Sequence, residues 1–267
     1  MIEDKFPDLE KRFLEYARSF YSEDSFILRN IKLKEGHSLR VCKNASLISA
    51  SEKLDCEERY LAMTIALFHD IGRFEQVSRY RTFRDSESED HALLGVKVLR
   101  SEGILLVLSP EQQDTIYQAI ENHNRYRIPD GLDSKCLFHS RLVRDADKLD
   151  IFKVLTDYYS EKDSFPNPAL DMGLPDIPEY SHSLLDDIFN CRIASTANVK
   201  TCNDMRLTRL SWVFDLNFSE TLRLVRERGY IDMIVEKLPQ DNNVAALHAH
   251  IQRYMDSVLM FGCGGKG

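Results

Sequence analysis

The chain has 267 residues, of which 43% are hydrophobic and 29% are charged. This composition is typical of a folded globular protein and excludes the disordered, collagen-like and low-complexity classes. The 43 acidic and 35 basic residues give a net charge of −8, which argues against binding of extended nucleic acid through its phosphate backbone. A local cluster of basic side chains could still bind a small anionic substrate.

No apolar run reaches the ~18–20 residues that would span a bilayer, and the N-terminus is charged from its third residue. We therefore expect neither a signal peptide nor a membrane partner. Six cysteines are scattered along the chain without a CxxC pair, which favours reduced thiols and a cytoplasmic location. The GCGGKG segment around Cys263 is expected to be a flexible tail.

Apolar residues recur at helical spacing through most of the chain, and no stretch shows the alternation of a strand. In the first half, Gly72 and Gly103 are expected to end helices, and Ser109-Pro110-Glu111 is a strong helix start. The helices predicted there cover Glu57–Ile71, Asp90–Glu102, Ser109–His123 and Leu137–Tyr159.

The second half begins with a segment of four prolines, Asp163–Pro178, that cannot form one continuous helix. Helices are predicted after it over Ser183–Ala194, Arg206–Phe214, Ser219–Arg228 and Val244–Met260. The predicted fold class is all-α, a helical bundle with additional C-terminal helices. We assign residues 1–160 to a metal-binding helical domain, 161–180 to a proline-rich loop, and 181–267 to helices packed on that domain as one compact unit. A domain boundary at the loop is the alternative.

Histidine and aspartate residues recur in the first part of the chain at intervals that fit a helix plus a return loop. The series consists of His37, His69, Asp70, His91, His123 and Asp147. Each helix of a bundle could therefore deliver a ligand to one centre. Imidazole and carboxylate groups together suit divalent Mn, Fe, Co, Ni or Zn. The two oxygens of Asp70 could bridge two ions, and water held between two ions becomes a nucleophile at neutral pH.

The segments that carry this series resemble the motifs of the HD superfamily of metal-dependent phosphohydrolases. The central match is Leu67-Phe68-His69-Asp70-Ile71-Gly72-Arg73. The others are GHSLRV around His37, DHALLG around His91, ENHN around His123 and RDADKLD around Asp147. The resemblance spans about residues 37–150, and jointly these motifs are specific.

The resemblance implies an HD-domain helical bundle with divalent ions, two in number, of Mn, Fe, Co, Ni, Zn or Mg. The first ion is implied on His37, His69, Asp70 and Asp147. The second is implied on Asp70, His91 and His123, although a one-ion site in which His91 and His123 touch substrate stays open. Asp70 and His69 are the implied catalytic residues.

The implied activity is hydrolysis of a small phosphate ester, with a nucleotide or related phosphorylated metabolite as the favoured substrate. The basic candidates for holding its phosphate are Arg40, Arg73, Arg125 and Lys148. Asp150 lies one turn after Asp147 and could orient a ligand histidine by accepting its hydrogen bond. Asn124 stands where members that hydrolyse cyclic dinucleotides carry a second histidine, which argues against that substrate.

Two other functions stay open at this point. Some relatives with the same ligand pattern hold two irons and oxidise a carbon centre with oxygen, and the ligand types do not separate the two chemistries. A non-catalytic regulatory module that keeps its metal site is the third hypothesis, which a complete ligand set argues against. The sequence does not decide whether the protein is a monomer or a homo-oligomer.

Overall fold

A computed structural model describes residues 1–261 of the protein, so the predicted tail around Cys263 lies outside the described residues. Helices make up most of this range and it contains no strand, which confirms the predicted all-α class. No helix within residues 1–261 is long and apolar enough to cross a membrane. The cytoplasmic location stays a prediction.

The chain divides into two compact units, residues 1–150 and 151–267. The division falls inside one continuous helix, whereas the sequence analysis ends the first domain at residue 160. The packing of the C-terminal helices on the first domain stays a prediction.

The first unit contains seven α-helices, and side chains cap the starts of several of them. They are α1 (Ile2–Ser19), α2 (Ser25–Ser51), α3 (Cys56–Phe68), α4 (Gly72–Tyr80), α5 (His91–Ser101), α6 (Pro110–His123) and α7 (Ser134–Glu161), which runs on into the second unit. Asp24, Asp55 and Asp90 accept backbone N–H bonds at the starts of α2, α3 and α5. Ser109 and Gln112 form a capping box at the start of α6. The predicted helix start at Ser109 is therefore present.

A cluster of three fully buried phenylalanine rings fixes the turn between α3 and α4. Phe13 of α1 packs against Phe68 at 5.9 Å and against Phe74 at 5.8 Å between ring centroids. Rings of this size contribute most of the apolar area of a small core. Because Phe68 and Phe74 lie on either side of the turn, their burial holds residues 69–71 in place.

Gly72 does not end a helix as predicted, and this expectation was wrong. α3 ends at Phe68 with His69 as its C-cap, and Gly72 is the first residue of α4. A Cβ atom at Gly72 would lie 2.3 Å from the carbonyl oxygen of His91 and 2.6 Å from the backbone nitrogen of Gly95. The glycine is therefore needed because the start of α4 packs directly on the backbone of α5.

The second unit continues α7 and adds shorter helices. They are α8 (Pro168–Asp171), α9 (His182–Phe189), α10 (Cys202–Leu210), α11 (Ser219–Glu227), α12 (Tyr230–Val235) and α13 (Asn242–Phe261). The proline-rich segment contains only the one-turn helix α8 between non-helical stretches. Phe152 packs against Trp212 and Tyr230, at 6.0 and 6.1 Å between ring centroids. The single tryptophan thus belongs to the packing of this unit.

Candidate metal centre

All six predicted ligand residues meet in the first unit. One turn, two helix termini and two helix interiors supply them. His37 lies within α2, His69 and Asp70 in the α3–α4 turn, His91 at the start of α5, His123 at the end of α6 and Asp147 within α7. The four imidazole side chains are at most 4% exposed, and the Asp147 side chain is 16% exposed. Overlapping groups of three ligand atoms from these residues lie within 4.8 Å of one another.

The Nδ1 atoms of two histidines donate to backbone carbonyl groups. His69 Nδ1 donates to the oxygen of Ala66 at 2.7 Å, and His123 Nδ1 donates to the oxygen of Ile120 at 2.6 Å. A carbonyl oxygen can only accept, so both Nδ1 atoms carry a hydrogen. In the neutral ring the lone pair then lies on Nε2.

In the other two histidines, Nδ1 donates to a carboxylate instead of a carbonyl group. His37 Nδ1 donates to Asp150 Oδ2, and His91 Nδ1 donates to Asp85 Oδ2, both at 2.7 Å. Burial raises the pKa of Asp150, but the hydrogen bonds from His37 and Arg40 outweigh burial and lower it, so this carboxylate is ionised and accepts. All four histidines therefore turn Nε2 towards the centre, the arrangement found in histidines that bind a metal through the neutral ring.

When the four rings are neutral, their inward Nε2 atoms are acceptors that face other acceptors. His37 Nε2 lies 3.0 Å from Asp147 Oδ1, and His91 Nε2 lies 3.1 Å from His123 Nε2. His37 Nε2, His69 Nε2 and Asp147 Oδ1 are buried and have no hydrogen-bond partner among the described residues. Buried acceptors without a donor cost free energy. A divalent cation would satisfy them together, so the residues present fit a metal ion.

The two carboxylate oxygens of Asp70 face different histidines and so divide the cluster into two halves. Asp70 Oδ2 lies 3.4 Å from His37 Nε2 and 3.5 Å from His69 Nε2. Asp70 Oδ1 lies 3.4 Å from His91 Nε2 and 3.8 Å from His123 Nε2. We call these the Oδ2 half, which also contains Asp147, and the Oδ1 half. Asp70 therefore presents one carboxylate oxygen to each half of the cluster.

Burial and neighbouring charges set the protonation of the cluster. Burial raises the pKa of Asp70, but Lys34 and His69 outweigh it and hold the pKa well below its usual range. Burial and the nearby Arg73 lower the pKa of His91 to about 4. His91 is therefore neutral at pH 7, as a metal ligand must be.

His37 shows the opposite shift. Burial and the nearby Lys34 lower its pKa, but the carboxylates around the ring outweigh them and raise the pKa to about 10. The Oδ2 half thus attracts positive charge, whether a proton or a metal ion. Binding of a metal ion there releases the proton, because the ligand must be neutral.

Two of the four predicted phosphate-binding residues lie at the cluster. Arg73 Nε is 3.4 Å from Asp70 Oδ1, while its Nη1 donates to the Phe83 carbonyl oxygen at 2.7 Å and to Asp85 Oδ1 at 3.1 Å. Arg40 donates to both oxygens of Asp150, at 2.7 and 3.0 Å. Arg40 therefore holds the carboxylate that orients His37.

The other two predicted phosphate-binding residues differ in burial. The Arg125 side chain is 44% exposed and donates to Glu121 Oε1 at 3.2 Å, so the structure does not bring its guanidinium to the cluster. Lys148 is buried on α7 directly after Asp147. The substrate roles of these residues stay predictions.

Sequence reasoning missed two residues that touch the ligands. Asp85 binds His91 from the short 3₁₀ turn Asp85–Glu87 between α4 and α5, and Lys34 Nζ donates to Asp70 Oδ2 at 2.6 Å. The position of Lys34 one turn before His37 was a signal for the same helix face. The position of Asp85 had no such signal, because it lies in an irregular segment.

A comparison with protein-family models matches residues 35–157 to the HD domain. The match covers all six clustered residues, together with Asp85 and Asp150. The predicted resemblance is thereby confirmed. No curated protein and no solved structure gave a significant match to the chain.

Proposed function

We propose that the chain is a metal-dependent hydrolase of a small phosphate ester, because residues 35–157 match the HD domain. A nucleotide or a related phosphorylated metabolite is the proposed substrate. The observation that carries the proposal is the common orientation of the four histidines. Each Nδ1 donates to a fixed acceptor, and each Nε2 points towards Asp70 or Asp147.

The residues of each half have distinct tasks in this proposal. His37, His69 and Asp147 would hold one divalent ion together with Asp70. His91 and His123 would hold a second, also with Asp70. Bound divalent ions lower the pKa of water towards neutrality and neutralise phosphate oxygens. Asp150 and Asp85 keep the rings of His37 and His91 in the tautomer that leaves Nε2 free for a ligand bond.

The charges around the cluster support an anionic substrate. The carboxylates of Asp70, Asp85 and Asp150 face the cations of Lys34, Arg40 and Arg73 in direct contacts. Asp147 adds a fourth carboxylate beside His37 and His69. With two divalent ions bound, the net charge of these side chains and ions together would be positive. An anion such as a phosphate ester compensates that charge.

The experiment is a phosphoester screen of metal-stripped protein reloaded separately with Mn, Mg, Co, Ni, Zn and Fe. We expect release of phosphate from at least one nucleotide or simple phosphate ester with at least one metal. We also expect the Asp70→Ala and His69→Ala variants to lose the activity. His182→Ala is the matched control, because His182 lies exposed at the start of α9.

The same screen also measures oxygen consumption by the iron-loaded protein. Stoichiometric iron with oxygen consumption and no phosphate release would overturn the proposal in favour of an oxygenase. Full metal binding with no turnover of any ester would favour a regulatory module.

A further inference from the structure

Lys34 is a largely buried cation that is not one of the six candidate metal ligands. It lies on α2 one turn before His37, its side chain is 13% exposed, and its Nζ donates to Asp70 Oδ2 at 2.6 Å. Burying a lysine costs free energy unless the charge is paired. The partner here is the carboxylate that stands between the two halves of the cluster.

Arg73 stands on the other side of the same carboxylate. Its Nε lies 3.4 Å from Asp70 Oδ1, and its side chain is also 13% exposed. Both cations also lie over the aromatic ring of Phe83, whose centroid is 5.2 Å from Lys34 Nζ and 5.7 Å from Arg73 Cζ. Each of the two cations therefore contacts a different oxygen of Asp70.

The two cations differ in how tightly they are held. Arg73 Nη1 is fixed by the Gln76 side chain, the Phe83 carbonyl oxygen and Asp85. The ammonium group of Lys34 has three N–H donors on a flexible stem, and its hydrogen bond to Asp70 uses one of them. Lys34 can thus offer donors to an anion bound beside Asp70 without breaking the framework of the site.

We propose that Lys34 binds the substrate phosphate and makes the site select phosphate monoesters over diesters. This inference rests on the proposed hydrolase function. A monoester phosphate carries nearly two negative charges at pH 7, because its second pKa is about 6, whereas a diester carries one. A point charge fixed beside the reaction centre therefore attracts the monoester more strongly.

The test compares p-nitrophenyl phosphate with methyl p-nitrophenyl phosphate, which have the same leaving group and differ by one charge. We expect wild type to prefer the monoester. Lys34→Met should lower kcat/KM for the monoester about tenfold or more, as for loss of a charge-assisted hydrogen bond, and change the diester less than threefold. Lys34→Arg should keep most of the preference. Lys32→Met is the control, because Lys32 is exposed on the same helix.

Two further measurements separate this inference from the proposed function. Metal content of Lys34→Met should equal that of wild type, and loss of metal would show that Lys34 only holds Asp70 in place. An equal loss for both esters would likewise overturn the inference.

If wild type hydrolyses neither ester, the hydrolase proposal fails for these substrates, and binding of inorganic phosphate to the metal-loaded protein then decides about Lys34. Calorimetry should show binding weakened about tenfold or more in Lys34→Met. Unchanged phosphate affinity would refute the role of Lys34.

Discussion

Substitution of the two aspartates that orient ligand histidines tests the division of the site into halves. Asp85→Ala removes the acceptor of His91 in the Oδ1 half, and Asp150→Ala removes the acceptor of His37 in the Oδ2 half. Loss of such a partner weakens metal binding about 10- to 100-fold. This corresponds to about 1.4–2.7 kcal/mol of binding free energy.

The two variants should also differ in fold stability. The Asp150 side chain is 2% exposed, and its removal leaves His37 Nδ1 and Arg40 Nε without their acceptor. We expect the metal-free Asp150→Ala variant to lose about 1–3 kcal/mol of unfolding free energy. The Asp85 side chain is 33% exposed, so water replaces it at a smaller cost.

The assay is a titration of metal-stripped protein with Mn or Zn against a competing chelator, followed by urea unfolding without metal. Wild type should bind two ions in two steps. Asp85→Ala should weaken one step and Asp150→Ala the other. If both variants weaken the same step, or neither weakens any, the assignment of the two halves is refuted.

Two other predictions concern the fold that positions the site. Gly72→Ala places a Cβ 2.3 Å from the carbonyl oxygen of His91, so we expect a loss of about 1–3 kcal/mol of unfolding free energy. Gly95→Ala, whose Cβ meets its nearest neighbour at 3.4 Å, should lose less in the same thermal denaturation, and equal losses would contradict the packing argument. Glu58 accepts a hydrogen bond from buried His139, which outweighs burial and lowers its pKa from 4.5 to about 2. Because the folded-state pKa is depressed, the stability it contributes is complete above about pH 4.5 and is lost towards pH 2. Urea unfolding of Glu58→Gln at pH 5 and pH 3 should therefore show a smaller acid-induced loss than wild type, and an equal loss would contradict the shift.

The ligand cluster was predictable because its residues carry chemistry that is rare in an apolar helical context. His37, His69, His91 and His123 recur at intervals that a bundle brings together, and the structure places them side by side. The helix start at Ser109 was predictable because capping is local. These features depend on neighbours in sequence or on a regular period.

The remaining features depend on contacts between distant parts of the chain. The role of Gly72 follows from the backbone of α5, which no local pattern shows. Lys34 acquires its role from Asp70, and Asp85 from His91, through contacts made only in the folded chain. The division at residue 150 lies inside the unbroken helix α7, so no proline or glycine marks it.

Metal content is the measurement that tests the central claim most directly. Protein reloaded with Mn or Zn, passed over a desalting column and analysed by mass spectrometry should retain at least one ion per chain. His69→Ala should retain less, and the control His182→Ala should retain the wild-type amount. A wild-type protein that retains no divalent ion under any loading condition, with the same thermal stability with and without chelator, would contradict the account.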